Sequence, residues 1–138
     1  AIRRQRQMCI RDRLIEGQIV PIKQDVSKVT FAYNVTKEEE RLDFTKTAQE
    51  VYNHIRAYYP SPIAYTIFNG EILKIYESRV LDDTHNKEIG TFFLKDKTRI
   101  CVACNNHTVL ELLVVQPSGK KVMKAKDFAN GGFRKYLK

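Results

Sequence analysis

Apolar and polar positions divide the 138-residue chain into three regimes. The first, through about residue 44, has no sustained period. Its stretch "IVPIKQDVSKVTFAYNVTKEEERLDF" opens with Pro and polar residues and predicts an extended linker running into a short helix. Thr36 followed by Glu39 fits a capping box, and Glu38, Glu39 and Glu40 then sit in a first turn, where negative charge suits the helix dipole. That role explains them better than acid catalysis, since nothing nearby would split the pKa values of solvated carboxylates.

The second regime is helical. In "TKTAQEVYNHIRAYYPSP", Ala48, Val51, Tyr52, Ile55, Tyr58 and Tyr59 recur at spacings of three and four, Thr47 and Glu50 form a second capping box, and Pro60 and Pro62 end the run. His54 lies off this stripe and reads as a boundary residue, with no Cys or Ser partner beside it. The third regime predicts strands. Asn69-Gly70 between "IAYTIF" and "EILKIYESRV" is a hairpin signal, because a type I′ turn needs positive φ at both central residues. "DDTHNKE" reads as a polar loop, and "GTFFL", "RICVAC" and "VLELLVVQ" supply three more strands before a short helical end, "MKAKDFANG". Five strands and one amphipathic helix make the fold mainly β, a small curled sheet or barrel. Phe92, Phe93 and Phe128 are expected in its core.

Composition describes one globular domain, with 43% hydrophobic and 29% charged residues. No apolar run approaches membrane-spanning length, so no membrane partner is expected. The net charge of +8 is unevenly placed. Five arginines lie in "RRQRQMCIRDR", Arg3 to Arg13. This run would suit a basic nucleic-acid arm, yet its back-translation resembles, codon for codon, the adapter and mosaic end of transposase-based sequencing libraries. Residues 1–13 are therefore set aside as a sequencing-adapter artefact, and Cys9 with them. Of the remainder, residues 14–94 hold 9 basic and 12 acidic side chains, whereas 95–138 hold 10 basic and 3 acidic. A basic C-terminal third on a mild protein points to a polyanion partner for one face.

Candidate chemistry is sparse. Cys101 and Cys104 with His107 resemble the start of a zinc site, but no fourth ligand follows and thiols three apart on a strand point to opposite faces, so no metal is expected. Phosphate-loop, metalloprotease and nucleophile-elbow motifs are missing from the sequence. The two cysteines form no disulfide framework, which fits a reducing compartment. The best site lies in "QPSGKKVMKAKDF", where Lys120, Lys121, Lys124 and Lys126 crowd seven residues after a turn. Such a cluster neutralises phosphates without reading sequence.

In order, "QDVSKVTFAYNVTKEEERLDFT", "AQEVYNHIRAYYPSPIAYT", "NGEILKIYESRV", "GTFF", "RICVACNN" and "LLVVQPSGKKVMKAKDF" resemble the linker and C-terminal domain of methionyl-tRNA formyltransferases. The resemblance implies that residues 45–138 form an OB-like barrel that binds initiator methionyl-tRNA, and that 14–44 are the linker from a missing N-terminal catalytic domain acting in cis. In such enzymes that domain transfers a formyl group from 10-formyltetrahydrofolate to the methionyl amine. This fragment would then carry no catalytic residue, bind no cofactor itself and be inactive alone. The expected RNA contacts are Lys120, Lys121, Lys124 and Lys126, then Lys74, Arg79 and Arg99. The family often has Trp where this sequence has Phe44 and Ser61, and it usually continues a little beyond the position of Lys138. A monomer in a bacterial cytoplasm is expected ahead of an organellar protein. Two alternatives are the related domain of a sugar-nucleotide amine formyltransferase and a free-standing nucleic-acid-binding module.

Overall fold

The computed structural model describes residues 2–20 and 22–131, with side chains from residue 7 onward. Two units divide the chain at Asn34 and Val35. In the first, helix α1 (Ile2–Ile15) covers the arginine-rich stretch and a single 3-10 turn, Val26–Lys28, is capped by Asp25. All described side chains of α1 are exposed, so helical form there comes from local propensity and not from a buried face. Val20, Ile22, Val26, Phe31 and Tyr33 are also largely exposed.

The second unit begins with a turn where the sequence predicts a short helix. Thr36 and Glu39 do make the reciprocal cap, the Thr36 N–H donating to Glu39 Oε2 at 2.7 Å, but residues 37–40 form a turn and not a helix. Tertiary pairing overrides the cap. The Tyr65 N–H donates to the Glu40 carbonyl and the Leu42 N–H to the Tyr65 carbonyl, which draws the chain alongside a strand after one turn.

Helix α2 (Ala48–Tyr58) starts at the Thr47–Glu50 capping box and buries Ala48, Val51 and Ile55. Tyr59 falls just past its end and is 56% exposed, outside the predicted apolar face. The Ala48 N–H donates to Thr108 Oγ1, and the Asn105 N–H is shared by the Phe44 and Lys46 carbonyls, so the start of α2 is tied to a hairpin turn.

Six antiparallel strands follow: β1 (Tyr65–Phe68), β2 (Glu71–Thr84), β3 (Phe92–Lys95), β4 (Arg99–Ala103), β5 (Thr108–Pro117) and β6 (Met123–Lys124). They are ordered β1-β2-β5-β4-β3, with β6 paired to β5, and helix α3 (Ala125–Gly131) closes the described chain. The barrel-like expectation is met by a curled, open sheet. Strand β6 is one more than expected, and β2 runs through Asp82, Asp83 and Thr84, which the sequence had placed in a loop. Pairing with β5 explains the difference, since Thr84 sits opposite Thr108. Three hairpins turn at Asn69-Gly70, Asp96-Lys97 and Asn106-His107, each with positive φ at both residues, the handedness that matches strand twist.

Edge strands β1 and β3 share no ladder, yet their side chains meet. Phe68 and Phe92 lie 4.9 Å apart between ring centroids, Phe44 packs edge-on against Phe92 at 5.9 Å, and Phe128 of α3 packs edge-on against Phe68 at 6.3 Å. These rings join the seam above a core of Leu73, Ile75, Ile100, Val102, Leu110 and Leu112. Phe93 does not belong to that core: alternation turns it to the other face, where it is half-buried beneath Lys87. Replacing Phe92 with Ala should cost about 2 kcal/mol in urea unfolding, less than the ~3–5 of a fully buried Phe because this ring is partly exposed. An unchanged midpoint would mean that the rings do not hold the seam.

Candidate nucleic-acid interface

Lys120 lies in the turn after β5, where its N–H donates to the Pro117 carbonyl at 3.1 Å and Gly119 takes a positive φ of 68°. Lys121 leaves that turn, Lys124 lies on β6 opposite Val114, and Lys126 opens α3. All four side chains are exposed, and none makes an ion pair among the described residues. Lys74 joins them from β2: it sits opposite Gln116, whose side-chain amide donates to the Lys120 carbonyl at 2.9 Å. A cleft of about 260 Å³ beside the turn is lined by Phe68, Asn69, Glu71, Ser118, Lys120 and Phe128, so Glu71 tempers the charge at that end.

Arg79 and Arg99 stand apart. Five positions on β5 separate Gln116 from Glu111, the partner of Arg79, which is roughly 17 Å along the ladder. Both guanidinium groups converge on Glu111, whose residue is only 4% exposed. Arg79 Nε and Nη2 donate to Oε2 at 3.1 and 2.6 Å; Arg99 donates from Nε to Oε1 and from Nη2 to Oε2, both at 2.7 Å. Sequence reading singled out the arginines and passed over the carboxylate that holds them. The signal was there, in one acid inside "VLELLVVQ", but its meaning depended on which strands flank it.

Register also decides what faces outward. β-bulges between Ile75 and Ser78 shift the pairing, so Leu73 and Ile75 before them, and Ser78 after them, are buried while Lys74 and Arg79 are both exposed. Without the bulge, residues five apart would point to opposite faces.

The cysteine and histidine candidates have structural roles. Cys101 and Cys104 are fully buried, and burial pushes their thiols up to about 11 and about 12. His85 Nδ1 accepts from the Lys87 N–H, which places the proton on Nε2, facing the Cys104 carbonyl at 2.8 Å. His107 Nδ1 donates to the His85 carbonyl at 2.8 Å. No group of three or more His, Cys, Asp or Glu among the described residues could hold a metal ion. His54 is half-buried, stacked on Tyr58 at 4.5 Å between centroids, and burial holds its pKa below the usual imidazole range.

Comparison with known proteins bears on the family and the fold. The sequence profile of "Formyl transferase, C-terminal domain" matches residues 34–132. The chain belongs to that family. Methionyl-tRNA formyltransferases of Bacillus thuringiensis strain Al Hakam, Bacillus cereus strain AH820 and Bacillus anthracis are each 42% identical to it over 118 residues, covering 86% of this chain. The chain spans 38% of the length of these curated relatives. Among solved structures, a HypX variant from Aquifex aeolicus superposes with a TM-score of 0.58 at 13% identity, over 90% of this chain and 22% of that one. HypX in complex with tetrahydrofolic acid gives 0.55 at 12% identity, over 88% and 22%. At those identities the likeness is one of fold.

Within this formyl transferase C-terminal domain the Glu111 clamp has a pH signature. Hydrogen bonds from Arg99, then from Arg79, hold the Glu111 carboxyl below the ordinary value of 4.5. A carboxyl lowered by folding adds stability that is present above its unfolded pKa and is lost as pH falls through the folded one. Glu111→Gln should therefore lower stability at pH 7 by about 2 kcal/mol, less than a fully buried broken pair because the arginines reach solvent. It should also flatten the loss of stability below about pH 4.5. Urea unfolding at pH 7 and in steps below pH 4.5 checks both; parallel curves for the two proteins would exclude the clamp.

Proposed function

We propose that the chain is the tRNA-binding, C-terminal part of a methionyl-tRNA formyltransferase. In this reading residues 45–138 hold initiator methionyl-tRNA, 14–44 are the linker, and an N-terminal domain absent from this sequence transfers the formyl group from 10-formyltetrahydrofolate to the methionyl amine in translation initiation. Residues 1–13 are adapter-encoded and take no part. The protein acts as a monomer in a bacterial cytoplasm.

The observation that carries the reading is the exposed cation row of Lys74, Lys120, Lys121, Lys124 and Lys126, without ion pairs among the described residues, on a domain of this family. Ammonium groups on flexible stems attract phosphates by charge and carry no base information, which suits a domain that holds a folded RNA by its backbone. Arg79 and Arg99 contribute less, since with Glu111 the trio carries one net positive charge. The exposed apolar residues of the linker, such as Phe31 and Tyr33, support an upstream domain as their neighbour.

The test is a titration of initiator tRNA across a range of potassium chloride concentrations. Changing Lys120, Lys121, Lys124 and Lys126 together to Ala should weaken binding and flatten the slope of log affinity against log salt by roughly 3–4. A slope equal to that of the parent would remove this patch from the interface. In the same assays Glu111→Gln should leave the slope almost unchanged.

A further inference from the structure

A pocket of about 410 Å³ opens where the end of α2 meets the β2 bulge. Tyr52, Arg56 and Tyr59 line it from the helix side, Tyr76 and Ser78 from the bulge, and Leu113 from β5. Three features set it apart from an ordinary surface dimple. The Arg56 guanidinium lies 5.4 Å from the centroid of the Tyr52 ring, a cation–π arrangement that leaves a flat, partly charged platform. Ser78, only 8% exposed, has a buried hydroxyl with no hydrogen-bond partner. The Tyr76 hydroxyl donates to Gln116 Oε1 at 2.9 Å, and Gln116 in turn donates to the Lys120 carbonyl, so the pocket wall is hydrogen-bonded to the lysine turn.

We propose that this pocket takes one unpaired nucleobase of an RNA whose backbone lies on the lysines. The inference rests on the lysine–phosphate reading above and adds to it a contact with a base. Planar aromatic and guanidinium groups favour a planar ring over an aliphatic side chain. An orphan hydroxyl asks for the donor or acceptor that a base edge carries and an apolar group lacks. Glu77, also in the lining, repels phosphate, which directs the backbone toward the lysines and leaves the pocket to a neutral base. β-bulges recur beside binding sites because they re-aim side chains, as this one does for Tyr76 and Ser78.

The test uses the whole chain with a fluorescein-labelled oligoadenylate single strand and an RNA duplex of equal length. Tyr59 is well exposed, so Tyr59→Ala should leave the thermal melt unchanged. If it does not, Arg56→Gln replaces it. Either variant should weaken single-strand binding about 10-fold, leave duplex binding and its salt slope unaltered, and be contrasted by Tyr59→Phe, which keeps the ring and the affinity. The chain has no Trp, so its intrinsic fluorescence comes from Tyr. Single-strand binding should quench that signal in the parent, and less in Tyr59→Ala. Parental single-strand affinity in the Ala variant, or equal losses on single strand and duplex, overturns the pocket, while the lysine reading stands on the slope of its own variant. A parent that binds neither RNA at low salt overturns both.

Discussion

Strand β5 pairs with β2 along its length and on its other side with β4 and then β6, and from Val109 through Leu112 it is buried on both faces. The rest of the domain is arranged around that constraint. One face meets the core through Leu110 and Leu112, as alternation provides. The other presents Val109 and Glu111, and a carboxylate there is tolerable only if it is paired. Arg79 from β2 and Arg99 from β4, the two flanking strands, supply that pairing. The clamp spans three strands and opposes any slip of register between them, since a shift of one residue would turn an arginine to the wrong face.

This arrangement sorts the cations of the domain. Several cations of the sheet are committed: Arg79 and Arg99 to Glu111, and Lys95 of edge strand β3 to Asp83, whereas Lys74 on β2 has no ion pair among the described residues. Those on the turn after β5, on β6 and at the start of α3 have no acid to answer, because the acids of the C-terminal third are few and Glu111 lies inside the sheet. The residue types follow the same division. Arginine, a rigid fork suited to bidentate pairing, holds the buried carboxylate, and lysine, a mobile point charge, faces outward. Sequence-wide basicity thus overstates the free charge near the centre of the sheet and describes it well at the lysine turn.

Sequence legibility follows the range of the interactions. Local signals gave correct results: the Thr47–Glu50 box and the Pro-terminated α2, and the Asn69-Gly70 turn, each depend on neighbours within a few positions. The run "KKVMKAK" was legible as exposed charge for the same reason. Readings failed where a distant partner intervened. The Thr36–Glu39 cap closed without a helix because Tyr65 captured the chain, and Asp82–Thr84 became strand because β5 lay opposite. Phe93 was misplaced because the apolar pair "FF" does not say which ring faces inward. The β2 bulge was invisible, and with it the shared exposure of Lys74 and Arg79.

That bulge also separates two tasks that a regular strand would have mixed. In an unbroken alternation, the residues lining a gap beside α2 and those carrying charge along β2 would be fixed by parity alone. Irregular pairing at Tyr76 and Glu77, matched on β5 so that Ile75–Val115 and Ser78–Leu112 keep one register, changes the parity midway. Hydrophobic seating continues on one side through Leu73, Ile75 and Ser78, and polar positions continue on the other. The cost is local: the ladder is interrupted, and the Ser78 hydroxyl is buried with no hydrogen-bond partner. An unpaired buried hydroxyl is unfavourable by about 1–3 kcal/mol. That cost falls where Ser78 forms part of the lining of the pocket at the end of α2, so the break in alternation and the cavity beside the helix share one origin.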